Sequence, residues 1–178
     1  MTSQNDSAPS RERSESRRDF VTAVTAVAAA SVAAAPSSAQ AQPRTNVRHS
    51  NPSGMTQPTA YSQIVEVNGP HRLVFVAGQT GVDPSGKAAQ EFRAQAVQAF
   101  TNIKTALASV GGSMDHLVRI TTYLTDIQQN ADVYREVRAS FLPNRDVLPA
   151  STLVQVTRLA DPSYLIEVEA MAILPPGA

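Results

Sequence analysis

The sequence predicts a small α+β domain, with two helices laid on one face of a sheet of four or five strands. Three observations carry that expectation. A stripe of Phe92, Ala96, Ala99, Phe100, Ile103, Leu107 and Val110 recurs at three- and four-residue steps and marks a helix over Ala89 to Val110. Alternating or β-branched runs lie on both sides of it. Only one other segment has a helical period, and two helices are too few to cover both faces of such a sheet.

The elements follow in chain order. Tyr61 to Asn68 alternates enough for a strand and ends at the turn signal Asn68-Gly69-Pro70. His71 to Ala77 is a second strand, rich in β-branched residues. Gly78 to Gly86 is dense in turn residues and reads as a loop with room for a short strand. In the long helix, Glu91 falls in the first turn, where the helix dipole favours an acid, and Gly111-Gly112 can take the left-handed stop. His116 to Thr125 is a strand. Asn130 to Leu142 is a shorter helix with Val133, Val137 and Phe141 on one face, ended by Pro143. Ser151 to Arg158 is a strand, Asp161-Pro162 turns the chain, and Tyr164 to Ile173 is the last strand. The predicted order is β-β-α-β-α-β-β.

The last strand places Ile166, Val168, Ala170 and Ala172 on one side and Leu165, Glu167, Glu169, Met171 and Ile173 on the other. Neither side is cleanly polar. A face that mixes apolar residues with carboxylates suits a subunit interface with a site in it, so the sequence points to an oligomer.

Ahead of this domain, Met1 to Ala41 reads as an address. Ser16-Arg17-Arg18-Asp19-Phe20 precedes an uncharged apolar run, Val21 to Ala35, and then Ala39-Gln40-Ala41 offers small residues for a signal peptidase. The run is shorter than the roughly 20 residues that span a bilayer, so it predicts no stable membrane anchor. A mildly apolar run behind paired arginines resembles a twin-arginine (Tat) signal, which implies the Tat export machinery as a partner and a periplasmic or otherwise exported destination. Residues 42–55 hold Pro43, Pro52 and Gly54 and read as a flexible or extended linker. Residues 56–174 are the folded domain, and residues 175–178 a short tail.

Composition excludes several chemistries. The 178-residue chain has no cysteine and a formal net charge of zero. That removes disulfides, thiolate nucleophiles and cysteine-held metals, and it leaves no general attraction to nucleic acid. His49, His71 and His116 are scattered without metal-ligand spacing. The glycine-rich segment after the second strand lacks the ending that a phosphate cradle needs.

Several spaced motifs resemble the RidA/YjgF family. They are Tyr61-Ser62-Gln63, Val76-Ala77-Gly78-Gln79, the Asp83-Pro84-Ser85-Gly86 turn, Thr121 to Asp126, Pro149-Ala150 with Val154 to Leu159, and Ile166-Glu167-Val168-Glu169-Ala170. The resemblance implies a chorismate-mutase-like fold, a homotrimer packed sheet to sheet, and small-molecule ligand sites at the subunit interfaces with no cofactor. It also implies hydrolysis of reactive enamines and imines to 2-keto acids and ammonia. In that pattern an arginine holds the substrate carboxylate, a glutamate handles water and a tyrosine lines the pocket. The tyrosine falls on Tyr61 and the glutamate on Glu167. The arginine position holds Ser151, and in a looser alignment an asparagine of the second helix is replaced by Tyr134.

The candidate catalytic residue is therefore Glu167, against the plainer reading of an interface carboxylate beside Glu169. Candidate ligand-binding residues are Tyr61, Ser151, Thr152, Gly78 and Tyr134. Ser151 and Thr152 carry hydroxyl donors that equally suit ordinary strand roles. Gly78 and Gln79 also serve the turn, with glycine allowing a close approach. Arg72 and Arg158 are the cations first considered near a site, though surface ion pairs are their commoner fate. A serine hydroxyl cannot replace a bidentate guanidinium, so the ligand is either held by another cation or is not a small carboxylate. Three functions follow: an enamine/imine deaminase of altered specificity, a non-catalytic trimer binding a small metabolite, and, more weakly, an endoribonuclease.

Overall fold

The computed structural model describes residues 45–177. The signal segment expected over residues 1–41, and the start of the expected linker, lie outside the described residues. The elements are β1 (Asn46–Ser50), β2 (Ile64–Asn68), β3 (Arg72–Thr80), α1 (Phe92–Ser109), β4 (Leu117–Leu124), α2 (Ile127–Phe141), β5 (Ala150–Gln155) and β6 (Ile166–Leu174). Single-turn 3₁₀ helices at Met114–His116 and Arg145–Val147 lead into β4 and β5.

The α+β class and the predicted order hold, with one strand added in front. Residues 46–50, read from the sequence as linker, form β1 and pair antiparallel with β2. The Gly69 turn (φ 85°) therefore does not join a hairpin of β2 and β3. β3 instead belongs to a four-stranded sheet of order β3-β6-β4-β5. There β6 lies antiparallel to both β3 and β4, while β4 and β5 are parallel. A parallel pair needs a crossover, and α2 supplies it.

The apolar stripe of α1 is buried as predicted as far as Leu107, with no exposed surface on Ala96, Ala99, Phe100, Ile103 and Leu107, whereas Val110, expected to close it, lies at the C-cap and is 40% exposed. The buried residues of the stripe meet Ile166, Val168, Ala170 and Ala172 of β6, with α1 also packed on α2. Both helices thus lie on one face, and the chosen side of β6 is the small, β-branched one. The helix stops where Gly111 takes φ 80°, with Gly111 N donating to Ala108 O and Gly112 N to Leu107 O, a glycine-terminated cap that satisfies two orphan carbonyls. Glu91 stands at the N-cap rather than inside the first turn, because the helix begins at Phe92, and its side chain makes no capping bond. The second helix starts before Asn130, because the Asp126 carboxylate accepts a bond from Gln129 N.

One buried polar side chain ties the layers together. Gln95 of α1 is buried, donates to Ala89 O and Ser163 O, and accepts from Leu165 N. A single amide thereby satisfies three backbone groups that have no ladder partner.

Candidate functional site

The sheet's second face carries no helix. Along it lie Leu73, Phe75 and Ala77 of β3, Glu167, Glu169 and Met171 of β6, Arg119, Thr121 and Tyr123 of β4, and Thr152 and Val154 of β5. Phe75 is 71% exposed, Leu73 45% and Val154 39%. An open depression of about 410 Å³ runs between Phe75, Arg119, Thr121, Glu169 and Met171.

Glu167 stands at the end of this face, opposite Tyr123 on one side and Thr80 on the other. β3 is bulged between Val76 and Gln79. The bulge turns Gly78 onto the Glu167 side chain. A Cβ on residue 78 would lie 2.7 Å from the Glu167 carboxyl carbon and 2.9 Å from its Cγ. The close approach expected at Gly78 is real, and the group approached is the candidate catalytic carboxylate. Among the described residues no hydrogen bond engages that carboxylate, which leaves both oxygens available to water or ligand. Tyr123 Oη donates to Glu169 at 3.3 Å, so of the paired glutamates Glu169 is the one with a protein partner.

Ser151 and Thr152 point to opposite faces, as neighbours in a strand must. Thr152 is exposed on the open face, in register with Thr121. Ser151 is in register with Ile120 on the helix side. It lies there close enough to Tyr134 of α2 to act on its phenol, whose oxygen is 2.8 Å from Thr122 Oγ1. Tyr134 is only 4% exposed, its ring stacked on Phe100. Tyr61 lies just before β2 rather than in it. Its neighbour Ser62 donates from N to Pro149 O and from Oγ to Leu148 O, which fixes the segment beside the start of β5. Tyr61 lines a cleft of about 450 Å³ with Asn51, Thr59 and Arg145.

The candidates thus form two clusters. Glu167, Gly78 and Thr152 belong to the open face. Ser151 and Tyr134 belong to the helix side, with Tyr61 next to the entry of β5. Glu167 and Ser151 are two strands and three residues apart in register, roughly 10 Å in each direction. Arg72 donates to Val110 O at the far end of α1, and Arg158 is exposed beyond β5. Sequence reasoning missed Arg138, a buried residue of α2 one turn beyond Tyr134. The signal was present, because Tyr134, Arg138 and Phe141 follow helical spacing.

Two tyrosines are displaced from ordinary titration. Burial pushes the Tyr134 phenol up, against smaller opposing effects from Thr122, Arg138 and Ser151. Loss of solvent, then the charge of Glu169 and its hydrogen bond, raises Tyr123. A phenol with a raised folded-state pKa gives stability that is complete below the unfolded value, about 10, and is lost as pH rises through the folded one. The protein is therefore expected to lose stability above about pH 10. In an alkaline titration followed by phenolate absorbance, Tyr134, one of four tyrosines, should ionise late and together with unfolding, while Tyr123 ionises above an ordinary phenol without needing it. Early ionisation of all four would contradict this arrangement.

The comparisons agree with this geometry. Residues 54–174 match the family model described as Endoribonuclease L-PSP. A RutC family protein of Aquifex aeolicus is 33% identical over 114 residues, 64% of this chain and 87% of that protein. The 2-iminobutanoate/2-iminopropanoate deaminase of Salmonella typhimurium is 32% identical over 102 residues, 57% of this chain and 79% of the enzyme. The solved structure of the Rid family protein YyfB from Yersinia pestis superposes with a TM-score of 0.67 at 30% identity, over 72% of this chain and 99% of that one. With its motifs, its sheet order and more than half its length in agreement, the chain belongs to the endoribonuclease L-PSP family, that of RidA/YjgF.

Proposed function

We propose that this protein is an exported, cofactor-free hydrolase that converts small 2-imino or enamine carboxylates to 2-oxo acids and ammonia, working as a homotrimer. One observation carries the reading: the Glu167 carboxylate, unpartnered within the described domain, stands against the bare backbone of Gly78. In the reaction, Glu167 accepts a proton from water as its oxygen bonds to the imine carbon. It returns that proton to nitrogen, giving a carbinolamine, and then carries the hydroxyl proton to the same nitrogen as the carbon–nitrogen bond breaks, the 2-oxo group forms and ammonia leaves. Atoms balance with water as the only co-reactant.

Assembly is part of the proposal. A ligand of a few carbons cannot touch both Glu167 and Ser151 of one subunit, since a sheet lies between them. A second copy seated on the open face brings a Glu167 to the first copy's β5 side, and covers Phe75, Leu73 and Val154 as it does so. The deaminase from Salmonella typhimurium supports the substrate class. Ser151 at the arginine position supports an altered specificity. Export rests on Arg17-Arg18, the apolar run and Ala39-Gln40-Ala41. RNA cleavage is not favoured, because the open face presents Glu167 and Glu169 where a phosphate backbone needs cations.

The test is ammonia and 2-oxobutanoate release from 2-iminobutanoate generated in solution, with the molar mass measured by light scattering. Acceleration over the spontaneous rate by a trimer is the expected result. A monomer, or a rate equal to the spontaneous one, overturns the reading. Stabilisation by a small metabolite without turnover would favour the non-catalytic binding protein.

A further inference from the structure

We infer that Arg138 is the residue that anchors the ligand's carboxylate in this chain, from α2 rather than from the position held by Ser151. The inference rests on the hydrolase reading for its ligand class, but its evidence is independent of it.

Arg138 is 6% exposed. Its Nε and Nη2 are buried and have no hydrogen-bond partner. Burial lowers its pKa, opposed by the nearby Tyr134 oxygen, and the one other charge it faces is the like charge of Arg145. No carboxylate of the described domain answers it. The remaining charges of α2 are engaged elsewhere, Arg135 with Asp132 and Glu136 with Arg93. A guanidinium does not discharge in a protein interior, so this side chain is a buried, unpaired cation on a helix that otherwise buries Asn130, Tyr134 and Val137.

Such a position is costly in the free protein, and an apolar residue would fill it better. Its retention makes physical sense if an anion arrives. The two orphaned nitrogens are also the informative ones. Nε and Nη2 form a single edge of the planar guanidinium, the edge that meets both oxygens of one carboxylate. Position supports this too. Ser151 and Arg138 both lie close enough to Tyr134 to act on its phenol, so the three side chains sit together beside the entry of β5. Arg145, on the other side, lines the cleft that holds Tyr61. A carboxylate between Arg138 and Arg145 would relieve two like charges at once, with the hydroxyls of Ser151 and Tyr134 as further partners.

A carboxylate could also come from a second copy of the chain, and the experiment separates the sources. The full protein is titrated with 2-oxobutanoate by calorimetry, and its thermal unfolding and molar mass are recorded with and without that acid, for wild type, R138K and R138M. The expected result is a Kd weakened about 100-fold in R138M and partly recovered in R138K, whose point charge cannot present the bidentate edge. Without ligand, R138M should melt no lower than wild type and keep the same mass. Wild-type affinity in R138M, or no binding by wild type, overturns the inference. So does an R138M that melts lower and loses mass, which would assign the arginine to a partner subunit's carboxylate. Ammonia release measured in parallel keeps the two readings apart. Wild type that binds through Arg138 without turnover removes the hydrolase and leaves the anion site. Turnover unchanged by R138M removes the anion site and leaves the hydrolase.

Discussion

Exchange of Glu167 for glutamine is expected to cut 2-iminobutanoate hydrolysis by about 10²–10⁴-fold, the usual contribution of a positioned acid–base group. The fold should hardly notice. Glu167 is half-buried at one end of the open face, and glutamine keeps its shape. The companion variant is sharper. In G78A, the added methyl overlaps the end of the Glu167 side chain. That end is flexible, so it can swing aside at small cost to stability while the carboxylate loses its place. Activity should fall toward that of E167Q, with a melting temperature near wild type. A G78A variant with the wild-type rate would show that Glu167 need not rest against Gly78, and would remove the main support for its proposed role.

The largest effect on stability is expected at Phe100. Its side chain is wholly buried, with ring centroids 5.4 Å from Phe141 and 6.4 Å from Tyr134. It joins both helices. Truncation to alanine should cost about 3–5 kcal/mol, against a total of about 5–15 kcal/mol for a domain of ordinary stability. Urea unfolding should show a lower midpoint with little change in slope. A loss below about 1 kcal/mol would mean that the surroundings collapse into the space, and that this helix contact is looser than the ring geometry implies. Because Tyr134 stacks on the same ring, the phenol cluster at Ser151 should loosen as well.

The sequence and the structure agree where a pattern is forced by burial. The α1 stripe was readable because each of its large residues from Phe92 to Leu107 must enter the core, and its end was readable because Gly111 suits the left-handed stop. The faces of β6 were readable from alternation. β1 was not, since Asn46-Val47-Arg48-His49-Ser50 has no apolar alternation and gains its order from main-chain pairing with β2. The bulge in β3 was also hidden. It depends on how β3 meets β6, a strand far off in the chain, and no local residue announces it. Asp126 could have been found from Gln129 three residues on, in the manner of a capping box. Arg138 was passed over because arginine is ordinarily a surface residue, although its helical spacing from Tyr134 placed it on a buried row.

Glu167 and its neighbours were singled out because their motif carries them. The separation of Ser151 from Glu167 was partly legible, since Ser151 and Thr152 must diverge. Which of them faces the helices required the parallel register of β4 and β5.

The position of β6 in the sheet has a consequence for how the protein is made. β6 lies between β3 and β4, yet among the strands of the described residues it is synthesised after all the others. While the ribosome is still adding residues 125–165, β3 and β4 have no strand between them to pair with, and the apolar row of α1 has no finished surface to cover. The nascent domain must wait for Ile166 to Leu174 to emerge before it can close, and long-range pairings of this kind are slow to form. Until then its exposed edges are open to other chains. Loss of even a few residues from β6 would remove the middle of the sheet rather than fray its margin, so translation that stops early should yield aggregates and proteolytic fragments instead of a shortened, working domain.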